Sequence, residues 1–390
     1  MIKAVINKVE PIIISIPRKV PYLGNLEENN KPNEKGYFIR PGNKSVYHVN
    51  DQSLLVKITL SDATVGWGEC VAFYAPEAGA ALVRELAGPL IIGKSPMRVI
   101  EIYEDLYNAM RVRGFFGGYY HDVLAAIDIA LWDCKGKCLD LPVCEILGGK
   151  RRVKIPAYVS GLPKETVEGR VELARQWIQK GFDALKFAAA VSHEGIVTEM
   201  KQLRETLGDK IKILIDMHWK YTAAEAVSLI TALEQYNLYL AEEPVKPEDT
   251  DGQAFAASRV RTPIALGEEL RTIYEFLPKF LKKCMHIIQP EMGRTGITSF
   301  WKICSLAQTF NVKVMPHASI GIGLFQAASL QVSAVIDDLS YHEYQHSIFD
   351  RNLRYINTTM KCENGYFTLP EGLGIGAEPA ESVFEYEKKS

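Results

Sequence analysis

Asp216, Glu242 and Glu268 stand 26 residues apart, and Glu291, His317 and Glu343 repeat the same interval. One strand-plus-helix unit of an eight-stranded barrel has about that length, since such barrels take roughly 250 residues. Each interval therefore returns the chain to the same rim one strand further round. Acid and imidazole side chains from six strands would then face one pocket, at the rim where barrels of this kind carry their catalytic groups. The intervening sequence agrees. Short runs such as Lys212-Ile213-Leu214-Ile215 and Leu238-Tyr239-Leu240 alternate with amphipathic stretches, in which Val167, Val171, Ala174 and Ile178, and again Ile196, Met200, Leu203 and Leu207, recur at helical spacing. A parallel sheet closed into a barrel is predicted from residue 151 onward.

The first 150 residues follow another pattern. Leu54, Val56, Ile58 and Leu60 alternate, a polar turn follows at Ser61-Asp62, and Val65-Gly66-Trp67-Gly68 resumes an extended run, which is a β-hairpin signal. From His121 to Trp132 the sequence reads as a buried helix, and Leu147-Gly148-Gly149 ends the region. A chain of 390 residues is too long for one ordinary core, so a separate domain over 1–150 is expected. The formal net charge of -2 and the short basic cluster Lys150-Arg151-Arg152 give no basic face for nucleic acid. No run approaches the roughly 20 apolar residues needed to span a bilayer. The expectation is a cytoplasmic protein that binds neither nucleic acid nor membrane. Seven cysteines without CxxC spacing suggest free, mostly buried thiols.

Three carboxylates from neighbouring strand ends, Asp216, Glu242 and Glu268, make an all-oxygen site that suits Mg²⁺ better than Zn²⁺. A zinc hydrolase barrel would open on a His-x-His pair, whereas the corresponding run is Ile155-Pro156-Ala157-Tyr158-Val159-Ser160. Lys186 adds a cation beside the metal, so that a substrate carboxylate held by both has its second negative charge stabilised as it forms. His218 lies two residues after Asp216, which on an extended strand places both side chains on one face. His317 approaches from four strands onward. One imidazole can accept a proton while the other donates one, and Glu291 can hold the ring of His317 in one tautomer.

The segment Ile127-Asp128-Ile129-Ala130-Leu131-Trp132-Asp133-Cys134-Lys135-Gly136-Lys137, with Leu141-Pro142 and Leu147-Gly148-Gly149, resembles the helix and exit turn before the barrel in the mandelate racemase branch of the enolase superfamily. Ile215-Asp216-Met217-His218, Ala241-Glu242-Glu243-Pro244, Gly267-Glu268-Glu269 and Met315-Pro316-His317 resemble its strand ends. The resemblance implies an α/β fold: a modified (β/α)7β TIM barrel over 151–355 with an α+β capping domain, residues 356–390 returning to the cap. It further implies Mg²⁺ on Asp216, Glu242 and Glu268, with Glu243 behind the ligand, and removal of the proton α to a carboxylate to give an enediolate stabilised by the metal. It also points to a homo-oligomer.

The second strand departs from the racemase pattern Lys-x-Lys and reads Lys186-Phe187-Ala188. Asp216-Met217-His218 is instead similar to the Asp-x-His arrangement of galactonate-type acid-sugar dehydratases. This implies loss of water from an aldonate or aldarate to give a 2-keto-3-deoxy acid. His317, oriented by Glu291, takes the C2 proton; Lys186 and Glu343 stabilise the enediolate with the metal; His218 protonates the departing hydroxyl, or the two histidines exchange these roles, the elimination being syn or anti. Racemases, epimerases and cycloisomerases share the fold and are the competing class, with a non-catalytic binding or regulatory role the alternative of another kind. Substrate choice is expected in a long loop from Arg18 to His48, containing the polar run Glu27 to Asn33, with Arg18, Tyr22, Arg40 and His48 as candidate contacts. Gly321-Ile322-Gly323 lacks the third glycine of a nucleotide loop and reads as a turn.

Overall fold

The protein is described from a computed structural model covering residues 3–26, 30–192 and 195–388. An antiparallel sheet opens the chain: β1 (Ile6–Pro17) pairs with β4 (Asn50–Leu60), which pairs with β5 (Val65–Cys70). Between β1 and β4 the predicted loop folds partly as a small hairpin, β2 (Tyr37–Ile39) with β3 (Val46–His48). Glu27, Glu28 and Asn29 of its polar run lie outside the described residues.

Against β5 lies the helix Tyr119–Leu139, whose core residues from Val123 to Cys134 are buried on every face. Helix and strand meet this closely because β5 carries Gly66 and Gly68. A Cβ on either would stand 2.3 Å from Ala130 O or 1.9 Å from Ala126 O. The helix's other side joins the barrel: Asp128 accepts from Thr298 N and Oγ1, and Trp132 Nε1 donates to Thr298 Oγ1.

Eight parallel strands follow: β6 (Lys154–Ser160), β7 (Ala184–Ala188), β8 (Lys212–Asp216), β9 (Leu238–Glu242), β10 (Ile264–Leu266), β11 (Ile287–Ile288), β12 (Lys313–Val314) and β13 (His342–Tyr344). Helices lie between successive strands, including Val167–Gln179 and Ile196–Leu207 at the positions the apolar spacing predicts. Strands β6 to β12 pair in sequence order, the segment before β13 meets β12 at a Val314–Leu339 bridge, and β13 closes the barrel on β6 with Glu343 opposite Tyr158. Tyr158, Leu214, Leu240, Ile287 and Met315 fill the interior, each such full burial contributing about 1.5–3 kcal/mol.

The tail does two things. Its strand β14 (Tyr366–Thr368) pairs antiparallel with the first residues of β6, below the part of the same edge that β13 occupies. It then crosses to the cap, where Phe384 packs on Trp67 and Lys388 N donates to Ile13 O. All seven cysteines are free, and five are buried. No helix among the described residues is long and apolar enough to cross a membrane.

Candidate active site at the barrel mouth

Parallel register sets the acids side by side. Asp216 pairs with Glu242 across β8 and β9, Glu242 with Ala265 of β10, and Glu268 follows two residues beyond the end of that strand. Ala188 of β7 is the register partner of Asp216, so a small side chain stands beside the first acid where a racemase pattern would carry lysine. Lys186, one alternation earlier on β7, is buried; its ammonium contacts Glu242 and lies 3.0 Å from Glu343 Oε1.

His317 sits between carboxylates. Its Nδ1 is 2.7 Å from Glu291 Oε2, and its Nε2 is 2.7 Å from Glu268 Oε2 and 3.4 Å from Glu343 Oε2. Burial alone would lower the affinity of this ring for a proton. Glu268 and Glu343 outweigh it and hold His317 well above the ordinary imidazole range. In return, although burial raises both acids, His317 draws Glu268 down to about 2, and Lys186 with His317 does the same for Glu343. Ala318 N also donates to Glu343 Oε2, at 2.9 Å.

His218 reaches the site by a route other than the predicted extended strand. Strand β8 ends at Asp216, and His218 and Trp219 both take left-handed backbone conformations, with φ of 48° and 51°. That turn brings His218 Nδ1 to 3.0 Å from Asp216 Oδ1, while the His218 backbone N–H bonds the same oxygen. Burial lowers the proton affinity of this ring, and Asp216 raises it further than burial depresses it. Two consecutive non-glycine residues in this region store strain, of the kind found at functional sites.

No three Asp, Glu, His or Cys side chains among the described residues converge as a metal cage; each predicted ligand is instead held by a cation, Asp216 by His218, Glu242 by Lys186 and Glu268 by His317. The donor set nevertheless fits Mg²⁺. Five carboxylates, Asp216, Glu242, Glu268, Glu291 and Glu343, face at most three cationic groups, Lys186, His218 and His317, so carboxylate oxygens outnumber the cations held among them. Burial, followed by repulsion from Asp216, Glu343 and Glu268, pushes Glu242 up to about 7 in spite of Lys186. A hard cation among oxygen donors removes that repulsion.

Two neighbours escaped the sequence reading. Gln289 Nε2 donates to Glu242 Oε2 at 2.6 Å, from a position two residues before Glu291. Gln345, just beyond β13, donates to the Tyr22 hydroxyl at 2.7 Å. The two-residue alternation that ties Glu291 to Gln289 was a usable signal; nothing local pointed to the second.

A cavity of about 660 Å³ opens beside this cluster, lined by Lys186, Ala188, Asp216 and His218 below and by Tyr22, Arg40 and Gln345 above. Tyr22 faces the site, and burial with the nearby Tyr47 and Glu343 raises its hydroxyl well above the ordinary range. Arg40 lines the cavity while its guanidinium donates to the carbonyls of Tyr22, Gly24 and Asn25. The other two expected contacts are engaged within the cap. Arg18 donates to both oxygens of Asp51, and His48 is buried with one ring nitrogen at Lys35 O and the other accepting from Asn50 N. Neither lines the cavity, because the cap's own polar groups consume them.

Comparison with known proteins agrees with this fold. Residues 33–148 match the mandelate racemase / muconate lactonizing enzyme N-terminal domain, and residues 169–383 match the enolase C-terminal domain-like family. The chain is 32% identical to D-galactarolactone cycloisomerase of Agrobacterium fabrum over 83% of its length and 88% of the relative. It is 30% identical to D-galactonate dehydratase of Cronobacter sakazakii, over 87% and 92%. The crystal structure of a member of the enolase superfamily from Agrobacterium tumefaciens superposes with a TM-score of 0.97 at 43% identity, covering 99% of this chain and 100% of that one. With a capping domain, a barrel and a strand-end acid cluster in one chain, and both domain families matched along it, the protein belongs to the enolase superfamily, in the mandelate racemase / muconate lactonizing enzyme group.

Proposed function

We propose that the chain is a Mg²⁺-dependent hydro-lyase acting on an acid sugar, an aldonate or aldarate, with a 2-keto-3-deoxy acid as product. The observation that carries this reading is the pairing of two imidazoles with one acid cluster: His317 contacts Glu268 and His218 contacts Asp216, four strands apart on one rim, with Ala188 where a second lysine would stand. Asp216, Glu242 and Glu268 would hold the metal, which when bound supplies positive charge beside the substrate carboxylate.

The remaining work falls to side chains. His317, its Nδ1 turned to Glu291, receives the proton from C2 on Nε2. Lys186, buried between Glu242 and Glu343, faces the carboxylate as charge develops on it. His218 delivers a proton to the departing 3-hydroxyl. Elimination completes as the C3–O bond breaks and a C2–C3 double bond forms, and the enol tautomerises to the ketone.

A second reading is favoured by the 32% identical relative named a cycloisomerase. If the oxygen expelled from the β-carbon is part of a ring in the substrate, the same proton transfers give an isomerisation, with nothing lost. A screen of mono- and diacid sugars and their cyclic forms with Mg²⁺, read by semicarbazide for 2-keto-3-deoxy products and repeated with EDTA, tests both. Turnover of an open-chain acid that stops on chelation supports the hydro-lyase; turnover of a cyclic acid alone supports the cycloisomerase. Silence across the library with Mg²⁺ bound would overturn both.

A further inference from the structure

Glu69 is the penultimate residue of β5 and is completely buried. Its carboxylate accepts from Ser53 Oγ of β4 and from four successive backbone N–H groups, those of Ile322, Gly323, Leu324 and Phe325. These residues open the helix Leu324–Ser333, so a turn and a helix N-terminus together form an anion cradle. Gly321-Ile322-Gly323 therefore receives a carboxylate from the other domain. The fit is close: Gly323 has φ 121°, and a Cβ on Gly321 would stand 2.7 Å from Glu69 Oε1 and 2.3 Å from the Phe325 ring.

The cradle follows His317 closely along the chain. At the near end Ala318 N bonds Glu343, and Ala318 and Ile320 are buried. At the far end Gly321 O accepts from Asn352 Nδ2 at 2.8 Å, and the same amide donates to Asp51 of β4. The segment carrying the base is thus tied to the barrel at one end and to the cap at the other.

We propose that Glu69 is a positioning residue for His317, through which the capping domain sets the placement of the imidazole by holding the turn at 321–325. The proposal rests on the reading of His317 as the base, and it has two independent readouts. The first is the low-field proton of the His317 Nδ1–H to Glu291 hydrogen bond, assigned by its absence in His317→Asn and followed in Mg²⁺-loaded protein. The second is steady-state turnover of whichever acid sugar the screen identifies.

In Glu69→Gln we expect the low-field proton to shift or broaden, and kcat to fall between about 10-fold and about 100-fold with KM within about 2-fold, as a misplaced base requires. Glu69→Asp should recover part of the loss. Ser53→Ala, which removes one neutral donor, should move both readouts in the same direction by less. A Glu69→Gln protein with lowered Tm but an unchanged low-field proton and unchanged kcat would reduce Glu69 to a structural tie and overturn the proposal. If Glu69→Gln does not fold, unchanged readouts in Ser53→Ala overturn it instead. If no acid sugar is turned over, the functional reading fails separately and the proton resonance alone decides.

Discussion

Glu291 and His317 are joined at 2.7 Å across the barrel rim, and the bond leaves the ring's other nitrogen, Nε2, facing the acid cluster. Glu291 is completely buried, so its charge acts on the imidazole with little screening by water. Glu291→Gln keeps the shape and removes the charge. We expect kcat to fall on the order of 100-fold with KM little changed, because the tautomer and basicity of the ring change while substrate contacts remain. Initial rates over a range of substrate concentrations separate the two constants; a change confined to KM would contradict the role given to His317.

His218 and His317 should fail differently. With His218 replaced by Asn, proton removal at C2 survives and departure of the hydroxyl does not. Elimination should drop by about 10²–10⁴-fold while exchange of the C2 hydrogen in D₂O continues. His317→Asn should abolish both. Mass spectrometry of recovered substrate reads the exchange directly, and loss of exchange in the His218 variant would reassign the base.

Metal binding should release protons. Glu242, pushed up to about 7, and His317, held well above its ordinary range, both carry protons near neutral pH in the metal-free arrangement. A divalent ion on Asp216, Glu242 and Glu268 needs those carboxylates free and relieves the field that keeps the imidazole charged. Calorimetric titration with Mg²⁺ at pH 7 in two buffers of different ionisation enthalpy should give different heats. Identical heats would place the metal elsewhere.

His121 should make the cap sensitive to acid. It is buried beside the rings of Tyr107 and Tyr120, and burial lowers it from an ordinary imidazole's 6.5 to about 4. A base depressed in the folded state contributes fully above its unfolded pKa, and that contribution is lost as pH falls through 6.5 toward 4. Between pH 7 and pH 5 this amounts to about 2 kcal/mol. His121→Phe should retain stability over that window relative to the parent. Urea denaturation at the two pH values measures it, and equal acid sensitivity in both proteins would show that another group titrates.

How far the sequence reached depends on how local each determinant is. The barrel was legible because its period is written in residues that recur every 26 positions, and the helices because their apolar faces repeat within a few residues. Asp216 and Glu242 reach the rim by strand register, which the same period encodes. His218 arrived beside Asp216 as predicted from its spacing, yet by a left-handed turn that alternation does not foresee. Arg18 and His48 read in the sequence as substrate contacts, and nothing in their neighbourhood announces Asp51 or the carbonyl of Lys35, the partners the structure gives them. Glu69 was passed over for the same reason. Its partner Ile322 lies 253 residues further along, a distance over which only the folded structure speaks.

The divided edge of β6 has a consequence for how the molecule is made. During synthesis β6 emerges with one edge unpaired, and β13, which covers its upper half, leaves the ribosome nearly two hundred residues later, followed by β14 for the lower half. At roughly 5–20 residues per second the nascent sheet stays open for about ten seconds or more, with a strand edge available to neighbouring chains. Truncations ending between residues 320 and 341 should accumulate as insoluble protein, whereas those ending after β14 should not, although both contain every residue proposed to bind the metal.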